Sequence, residues 1–321
     1  MKIRTSHVGS FPLDYSVNNV ERIVKDYIEI GIDAPPYPQL RNFIDMYLQP
    51  LIRENIIENK DGFYIVKDLT ELERLSDMWA DIYESRVFSG LARNNFKYLR
   101  APVTGPFTLS SNIYLKPSIG DLKSTILSNK RLFEHVVNYV RNTLIHMTRL
   151  GYNILVIDEP LLSVLIGARK ILLNYTEEDI VNTIDTVFQG VIGEHGIHTC
   201  GRVSRLYLAV ISSSEELDFI NLEFYDTRDN LSIINRDIFE TGDKILAPGV
   251  ASSKSLRVES IDEIRSLILE IGNLVDWRID LVSADCGFRG LTITSNVGKD
   301  PYKISILKLS NIKKAVESLS M

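Results

Sequence analysis

Short apolar runs alternate with longer amphipathic stretches along most of the chain. The short runs are rich in β-branched residues and predict strands, because strands of a parallel sheet are covered on both faces and are apolar at successive positions. The longer stretches repeat apolar residues at helical spacing and predict helices. We place the strands at residues 3–8, 31–34, 98–103, 153–157, 196–199, 219–223, 244–248 and 279–284.

The predicted helices lie between these strands or follow them. Strands that alternate with helices indicate a parallel sheet with crossover helices, and eight such units at this length favour a closed (β/α)₈ TIM barrel in the α/β class. Residues 48–67 predict a small insertion after the second βα unit, and no Gly- or Pro-rich linker divides residues 1–321, so we expect a single domain. The helices are expected at residues 16–29, 69–85, 120–151, 176–190, 202–212, 230–239, 260–273 and 302–320.

Composition narrows the class of protein. The 321 residues carry 36 Lys and Arg against 42 Asp and Glu, and 45% of them are apolar, as is typical of globular proteins. No block of basic residues predicts nucleic-acid binding, and no apolar run approaches the roughly 18 residues of a membrane span. The first residues lack the apolar segment of a signal peptide, and two cysteines make no disulfide framework. We therefore expect a cytoplasmic enzyme.

Polar residues that can bind a metal or take part in catalysis lie where predicted strands end. Asp158 ends the fourth strand, His198 and Cys200 end the fifth, Glu223 ends the sixth, and Cys286 follows the eighth. In a barrel, the carboxyl ends of all strands open onto one face, and active sites are built there. These residues are therefore expected to converge on one site.

His198 and Cys200 are two residues apart, so their side chains are expected to point to the same side of the strand. Together with Glu223 and Cys286 they make a donor set suited to tetrahedral zinc. The alternative stays open at this stage, because a lone cysteine usually packs as a small apolar residue and a lone histidine is usually a hydrogen-bonded core or surface residue.

The charge of this donor set indicates what the ion would do. Two thiolates and a carboxylate against Zn²⁺ leave about one net negative charge, which makes a poor Lewis acid but suits the binding of a further thiol. The coordinated thiol would lose its proton and stay nucleophilic, so alkyl transfer to sulfur is the expected reaction. Glu223 is the ligand expected to leave when a substrate sulfur enters.

Seven stretches in order along the chain resemble the catalytic, C-terminal barrel of the cobalamin-independent methionine synthase family, in the form of a short single-barrel homologue. The resemblance implies a zinc-dependent methyltransferase barrel that converts homocysteine to methionine in amino-acid biosynthesis. The stretches are HVGSFP (7–12), APVTGPFT (101–108), VIDEP (156–160), GIHTC (196–200), INLEF (220–224), LAPGV (246–250) and SADCG (283–287).

The resemblance also implies roles for individual residues. The family's turn that holds the carboxylate of the amino acid falls on Val8, Gly9 and Ser10, and the family's aspartate that binds the amino group falls on Asp158. A carboxylate pairs well with an ammonium group, and backbone N–H groups with a carboxylate. Asp158 and Lys254 are the candidate catalytic residues. The implied zinc ligands are His198, Cys200, Glu223 and Cys286.

Departures from the family concern the side of the methyl donor. The chain has length for one barrel, so we expect an amino-terminal partner barrel to be absent or to be a separate protein. At the edge of that side, Gln39 lies near the place where the family's loop carries an acid that helps hold homocysteine. Thr108 or a neighbour replaces the aromatic partner of the pterin, and Lys254 replaces the histidine proposed to protonate the folate. A methylated corrinoid needs no such acid. We therefore expect methylcobalamin or a corrinoid protein as donor, rather than methyltetrahydrofolate.

Three other functions remain open on the sequence. One is a related thiol alkyltransferase acting on coenzyme M or an epoxide. A sulfonate thiol would need a cation, whereas Asp158 and Ser10 suit an ammonium group and a carboxylate. A zinc-free lyase, as in the uroporphyrinogen decarboxylase relatives of this barrel, would need several basic residues at the mouth. A non-catalytic, zinc-binding subunit of a two-chain methionine synthase would need no displaceable ligand such as Glu223.

Overall fold

The structure is a computed structural model that describes residues 2–116, 120–292 and 300–319. The strands, numbered β1 to β8, are Ile57–Lys60, Phe63–Val66, Arg100–Thr104, Ile113–Tyr114, Ile154–Asp158, Glu194–Thr199, Phe219–Glu223 and Ile245–Gly249. The helices, numbered α1 to α11, are Val17–Ile30, Asp45–Arg53, Tyr83–Ala92, Pro106–Ser110, Lys130–Arg149, Leu162–Leu165, Glu177–Phe188, Arg205–Ser212, Arg236–Thr241, Ile261–Leu274 and Pro301–Glu317. Short 3₁₀ helices span Leu69–Asp77, Leu122–Ser124, Ile126–Ser128, Arg228–Ser232 and Phe288–Thr292.

A ring of parallel pairing forms the centre of the molecule. Strands β3, β5, β6, β7 and β8 make one parallel sheet in that order. Single parallel bridges link the two edges of this sheet through three further segments of the chain. Pairing around eight segments is the arrangement of a (β/α)₈ barrel, so the predicted fold class is confirmed. The bridges are Pro36 to Arg100, Ser6 to Ala34, Thr5 to Val282, Gly249 to Ser283 and Leu246 to Ile279.

Alternate residues of the barrel strands form two separate apolar layers. The larger layer packs between the strands and the surrounding helices, whereas a small cluster fills the inside of the ring. Gly196 leaves room for the Phe219 ring in this inner cluster, because a Cβ at position 196 would lie 2.2 Å from Phe219 Cζ. The inner cluster consists of Ala34, Ile154, Val156, Phe219, Ala247 and Leu281.

The long helices begin at the polar caps that their sequences indicate. Thr176 and Asp179 form a capping box at the start of α7, and Ser260 and Glu263 form another at the start of α10. Gly31 ends α1 with a φ of 73°, a left-handed conformation that glycine adopts without a steric cost. The final predicted helix is present, although Ser320 lies outside the described residues.

Three of the predicted helices are wrong in extent. Residues 69–85 divide into a 3₁₀ helix and the start of α3, with an extended residue, Met78, between them. Asn142 of α5 donates hydrogen bonds to the carbonyl groups of Ser76 and Met78, so a tertiary contact fixes the break. Residues 120–151 contain two 3₁₀ turns before α5, and residues 230–239 lie partly in a 3₁₀ turn before α9.

The predicted insertion contains a small sheet. Strands β1 and β2 form an antiparallel hairpin, and β4 pairs in parallel with β2. Helix α2 leads into this hairpin and overlaps the first residues of the predicted segment 48–67. Within the described ranges, no helix has both the length and the apolar character needed to cross a membrane.

Candidate active site

A cavity of about 700 Å³ opens at the carboxyl ends of the barrel strands. Every predicted site residue except Gly9 lines it, although these residues come from six different parts of the chain. Gly9 lies beside it, and its carbonyl accepts a hydrogen bond from the backbone N–H of Gln39 at 3.1 Å. The predicted residues that line the cavity are Val8, Ser10, Asp158, His198, Cys200, Glu223, Lys254 and Cys286.

Three metal-binding side chains meet in this cavity. His198 Nε2 lies 3.1 Å from Cys200 Sγ, and Cys200 Sγ lies 2.9 Å from Cys286 Sγ. Both cysteines are free thiols, since a disulfide would bring the sulfurs to about 2.05 Å. The donor atoms of the three residues all lie within 4.8 Å of one another. Hydrogen bonds from Cys200 and His198 hold the pKa of the Cys286 thiol below its ordinary value, although burial opposes this.

Strand register explains why residues so distant in sequence share one level of the barrel. Asp158 of β5 pairs with His198 of β6, and His198 pairs with Asn221 of β7. Alternation along each strand turns these three side chains toward the inside of the ring, while the intervening residues face the helices. Cys200 lies two residues beyond His198 and therefore points to the same side, one layer nearer the mouth.

Glu223 is buried at the end of β7 but is not part of the close group of three donors. Its Oε2 accepts a hydrogen bond from Thr227 Oγ1 at 2.9 Å. The ammonium group of Lys254 lies 3.7 Å from the same oxygen. The role of Glu223 as a metal ligand stays a prediction, and Lys254 is its neighbour at the mouth of the cavity.

Asp285 connects the strand ends that carry Glu223 and Cys286. Its carboxylate accepts hydrogen bonds from three successive backbone N–H groups that follow β7, at 3.1, 3.0 and 2.5 Å. A Cβ at Gly249 would lie 2.7 Å from Asp285 Oδ1, so a glycine is needed beside it. The three donors are Phe224, Tyr225 and Asp226.

Asp158 is a buried carboxylate with unusual surroundings. Burial raises its pKa to about 6, while the neighbouring His198 and the Arg100 guanidinium pull it down. The side chain of Gln39 also stabilises the charged form. Asp158 Oδ1 has no hydrogen-bond partner among the described protein groups and is therefore available to a ligand.

The turn that follows the first barrel segment contacts the loop that carries Cys286. The Ser10 carbonyl accepts a hydrogen bond from Phe288 N at 2.8 Å, and Ser10 Oγ accepts one from Arg289 N at 3.3 Å. Gly287 permits this contact, because a Cβ there would lie 2.1 Å from Ser10 Oγ. The candidate carboxylate-binding turn and a candidate metal ligand therefore hold each other in place.

Some residues of the site were not identified from the sequence. Arg100 lies buried inside the barrel, and Phe43 and Arg41 line the cavity. Phe43 contributes an aromatic ring near the site, although it comes from the loop before α2. Thr108 is buried and donates two hydrogen bonds to Glu159 rather than lining the cavity. Of the two adjacent acids, Asp158 therefore lines the cavity, whereas Glu159 caps α4.

Comparison with known proteins assigns a class to this barrel. Its mouth gathers two thiols, an imidazole and two carboxylates, and three of these donor groups lie close enough together to hold a metal ion. Residues 96–299 match the family model of the cobalamin-independent synthase catalytic domain. The chain belongs to this family, as the sequence motifs indicate, and it is therefore a methyltransferase.

The relatives found by sequence include methionine synthases of archaea. The one from Methanothermobacter thermautotrophicus is 26% identical over 294 residues, which cover 91% of this chain and 86% of the relative. The one from Methanocaldococcus jannaschii is 24% identical over 314 residues, which cover 94% of this chain and 89% of the relative.

Solved structures share the fold at low sequence identity. A B12-independent methionine synthase from Shewanella sp. W3-18-1, in complex with selenomethionine, aligns with a TM-score of 0.70 and 13% identity. That alignment covers 100% of this chain and 98% of the other. A methyltransferase from Methanosarcina mazei aligns with a TM-score of 0.65 and 12% identity, over 100% of this chain and 95% of the other. These similarities support the TIM barrel.

Proposed function

We propose that this protein is a zinc-dependent enzyme that methylates the thiol of homocysteine to give methionine, with a methylated corrinoid as donor. The convergence of His198, Cys200 and Cys286 beside the buried carboxylate of Asp158 is the observation that carries the proposal. Binding of the substrate thiol needs side chains that hold a metal ion, and binding of the substrate amino group needs an anion. The archaeal relatives named methionine synthase support the same substrate.

The donor chemistry of the cavity fits zinc. One imidazole and two thiols are the ligand types that zinc prefers, and their donor atoms already lie within 4.8 Å of one another. Glu223 is the fourth residue that would hold the ion. When bound, zinc lowers the pKa of a substrate thiol and keeps it as a nucleophilic thiolate.

The remaining residues orient the amino acid. Asp158 Oδ1, which has no protein partner in the described ranges, is suited to accept hydrogen bonds from the substrate ammonium group. The turn formed by Val8, Gly9 and Ser10 lies on the neighbouring wall and would take the substrate carboxylate. Contact between Ser10 and the loop after Cys286 sets the distance between the carboxylate and thiol ends of the substrate.

The choice of donor rests on residues near the mouth. In the transfer, the substrate thiolate forms a bond to the methyl carbon, and the cobalt–carbon bond breaks with its electron pair left on cobalt. That leaving group needs no proton, whereas a pterin nitrogen does. Lys254 lies beside Glu223, and Thr108 is directed toward Glu159, so the histidine and the aromatic residue that the family uses for a folate have no equivalent at these two positions.

The experiment combines metal analysis with a panel of donors. We expect the purified chain alone to bind about one zinc ion and to methylate homocysteine from methylcobalamin, but not from methyltetrahydropteroylglutamate. His198→Gln is expected to lose zinc and activity. His195→Gln is the matched control, because His195 lies on the same strand and bonds the Glu216 carbonyl outside the cluster.

Different results contradict different parts of the proposal. Turnover with the folate alone would refute the corrinoid donor, and a requirement for an added amino-terminal barrel protein would show that the chain acts in a two-chain enzyme. Failure to bind zinc supplied in excess would refute the whole proposal. We also propose a cytoplasmic location, because both cysteines are free thiols, as is usual in a reducing compartment.

A further inference from the structure

One arginine crosses the inside of the barrel beneath the candidate active site. Arg100 begins β3 and is fully buried, and its Nη2 donates a hydrogen bond of 2.9 Å to Oδ1 of Asn221 on β7. Strands β5 and β6 lie between these two strands in the sheet. The side chain therefore spans the ring rather than following its wall.

The hydrogen bond to Asn221 sets the depth of the guanidinium. Asn221 pairs with His198, and His198 pairs with Asp158, so these three residues lie at one level of the barrel. The positive charge of Arg100 is consequently held near the level of Asp158. The apolar cluster around Phe219 fills the ring elsewhere, so little solvent is available to screen this charge.

Arg100 and Asp158 influence each other without a direct ion pair. No N···O distance between them is within 4.0 Å, yet each stabilises the charged form of the other. Arg100 Nε and Nη1 and Asp158 Oδ1 are buried atoms that have no hydrogen-bond partner in the described protein.

We propose that Arg100 is a positioning residue that fixes the Asp158 carboxylate for recognition of the substrate amino group. A carboxylate has two oxygens, so Asp158 can face the guanidinium on one side and an ammonium group on the other. Arg100 thereby determines a preference for thiols that carry an ammonium group over thiol acids that lack one. The inference rests on the proposed homocysteine substrate and extends it to a residue outside the cavity lining.

The test compares two thiols that differ only in the amino group. Binding of L-homocysteine and 4-mercaptobutanoate to the zinc-loaded protein is measured by titration calorimetry. We expect the wild type to prefer homocysteine and Arg100→Gln to reduce that preference at least about tenfold. Arg100→Lys, which keeps the charge, should retain most of it. In an Asp158→Asn background, Arg100→Gln should change the preference less than about threefold.

Arg4→Gln is the matched control for loss of a largely buried, ion-paired arginine. Arg4 pairs with Glu194 and Asp280 at the opposite end of the barrel, so this variant should lose stability and keep the wild-type preference. If Arg100→Gln does not fold, Asn221→Ala releases the guanidinium instead and should reduce the preference at least about fivefold.

Three results would overturn the inference while the proposed function stands. One is equal weakening of both thiols by Arg100→Gln, and another is an effect of Arg100→Gln that adds fully to that of Asp158→Asn. An unchanged preference in a folded Arg100→Gln or Asn221→Ala variant overturns it as well. Failure of the wild type to bind homocysteine would instead refute the proposed substrate.

Discussion

Replacing Asp285 by asparagine is expected to weaken zinc binding without changing any predicted ligand. Asp285 precedes Cys286, and its carboxylate accepts N–H groups from the segment that follows Glu223. Two candidate ligands on different strands therefore depend on one side chain. The substitution keeps the size of the side chain and replaces one oxygen by an NH₂ group.

The expected loss of stability and of zinc affinity follows from the hydrogen bonds that Asp285 accepts. Oδ1 accepts from Phe224 N and Tyr225 N at 3.1 and 3.0 Å, and an amide oxygen can retain both bonds. Oδ2 accepts from Asp226 N at 2.5 Å, and there the new NH₂ group would face an N–H donor. This hydrogen bond is only partly buried, so its loss is expected to cost about 1 kcal/mol of unfolding free energy. Loss of such outer support typically lowers metal affinity about 10- to 100-fold.

The assay is competition for zinc against a chromophoric chelator, together with urea unfolding of the metal-free protein. Asp33→Asn is the control, because it makes the same chemical change at the opposite end of the barrel, where Asp33 accepts from Thr5 and Lys313. Both variants should lose stability, but only Asp285→Asn should lose zinc affinity. Zinc affinity within twofold of wild type in a destabilised Asp285→Asn variant would refute the reasoning.

Two further predictions concern charged groups that do not line the cavity: the partly buried Asp33 and the fully buried pair of Lys308 and Glu259. Burial opposes ionisation of Asp33, but Lys313 and Thr5 outweigh it and lower its pKa from 3.8 to about 2. The resulting stabilisation is present above pH 3.8 and is lost as the pH falls through 2, so Asp33→Asn should cost about 2 kcal/mol at pH 7 and almost nothing near pH 2 in urea titrations. Lys308→Met should cost about 3–5 kcal/mol, because it leaves Glu259 buried and unpaired. Adding Glu259→Gln should restore part of the loss, and a purely additive double variant would contradict this explanation.

The sequence is informative about the site because a barrel converts position along the chain into position in space. His198 and Cys200 are predictable from spacing along one strand, and Cys286 is predictable from its place after the last one. The shared face of all strand ends then brings them together without any knowledge of loop conformation. Apolar runs likewise identify the barrel strands, because those residues are buried on both faces.

Other features depend on contacts that have no local pattern. Arg100 is a charged residue within the predicted strand 98–103, and its place in the barrel depends on Asn221, 121 residues later. The helix predicted over residues 69–85 is broken by hydrogen bonds from Asn142, which the local sequence cannot reveal. In both cases a side chain distant in sequence decides the structure.

The two carboxylates of the cavity have different partners, and this difference matches the two tasks proposed for them. Asp158 lies at the level of the buried Arg100, where surrounding strands fix it, as recognition of an ammonium group requires. Glu223 lies nearer the mouth, where Thr227 donates to it at 2.9 Å and Lys254 lies 3.7 Å away. A ligand that leaves zinc when a thiol enters needs other groups to stabilise its charge, and these two provide them. If zinc binds as proposed, the three closely spaced donors would remain bound while the fourth position exchanges, which is the property that separates a catalytic zinc site from a structural one.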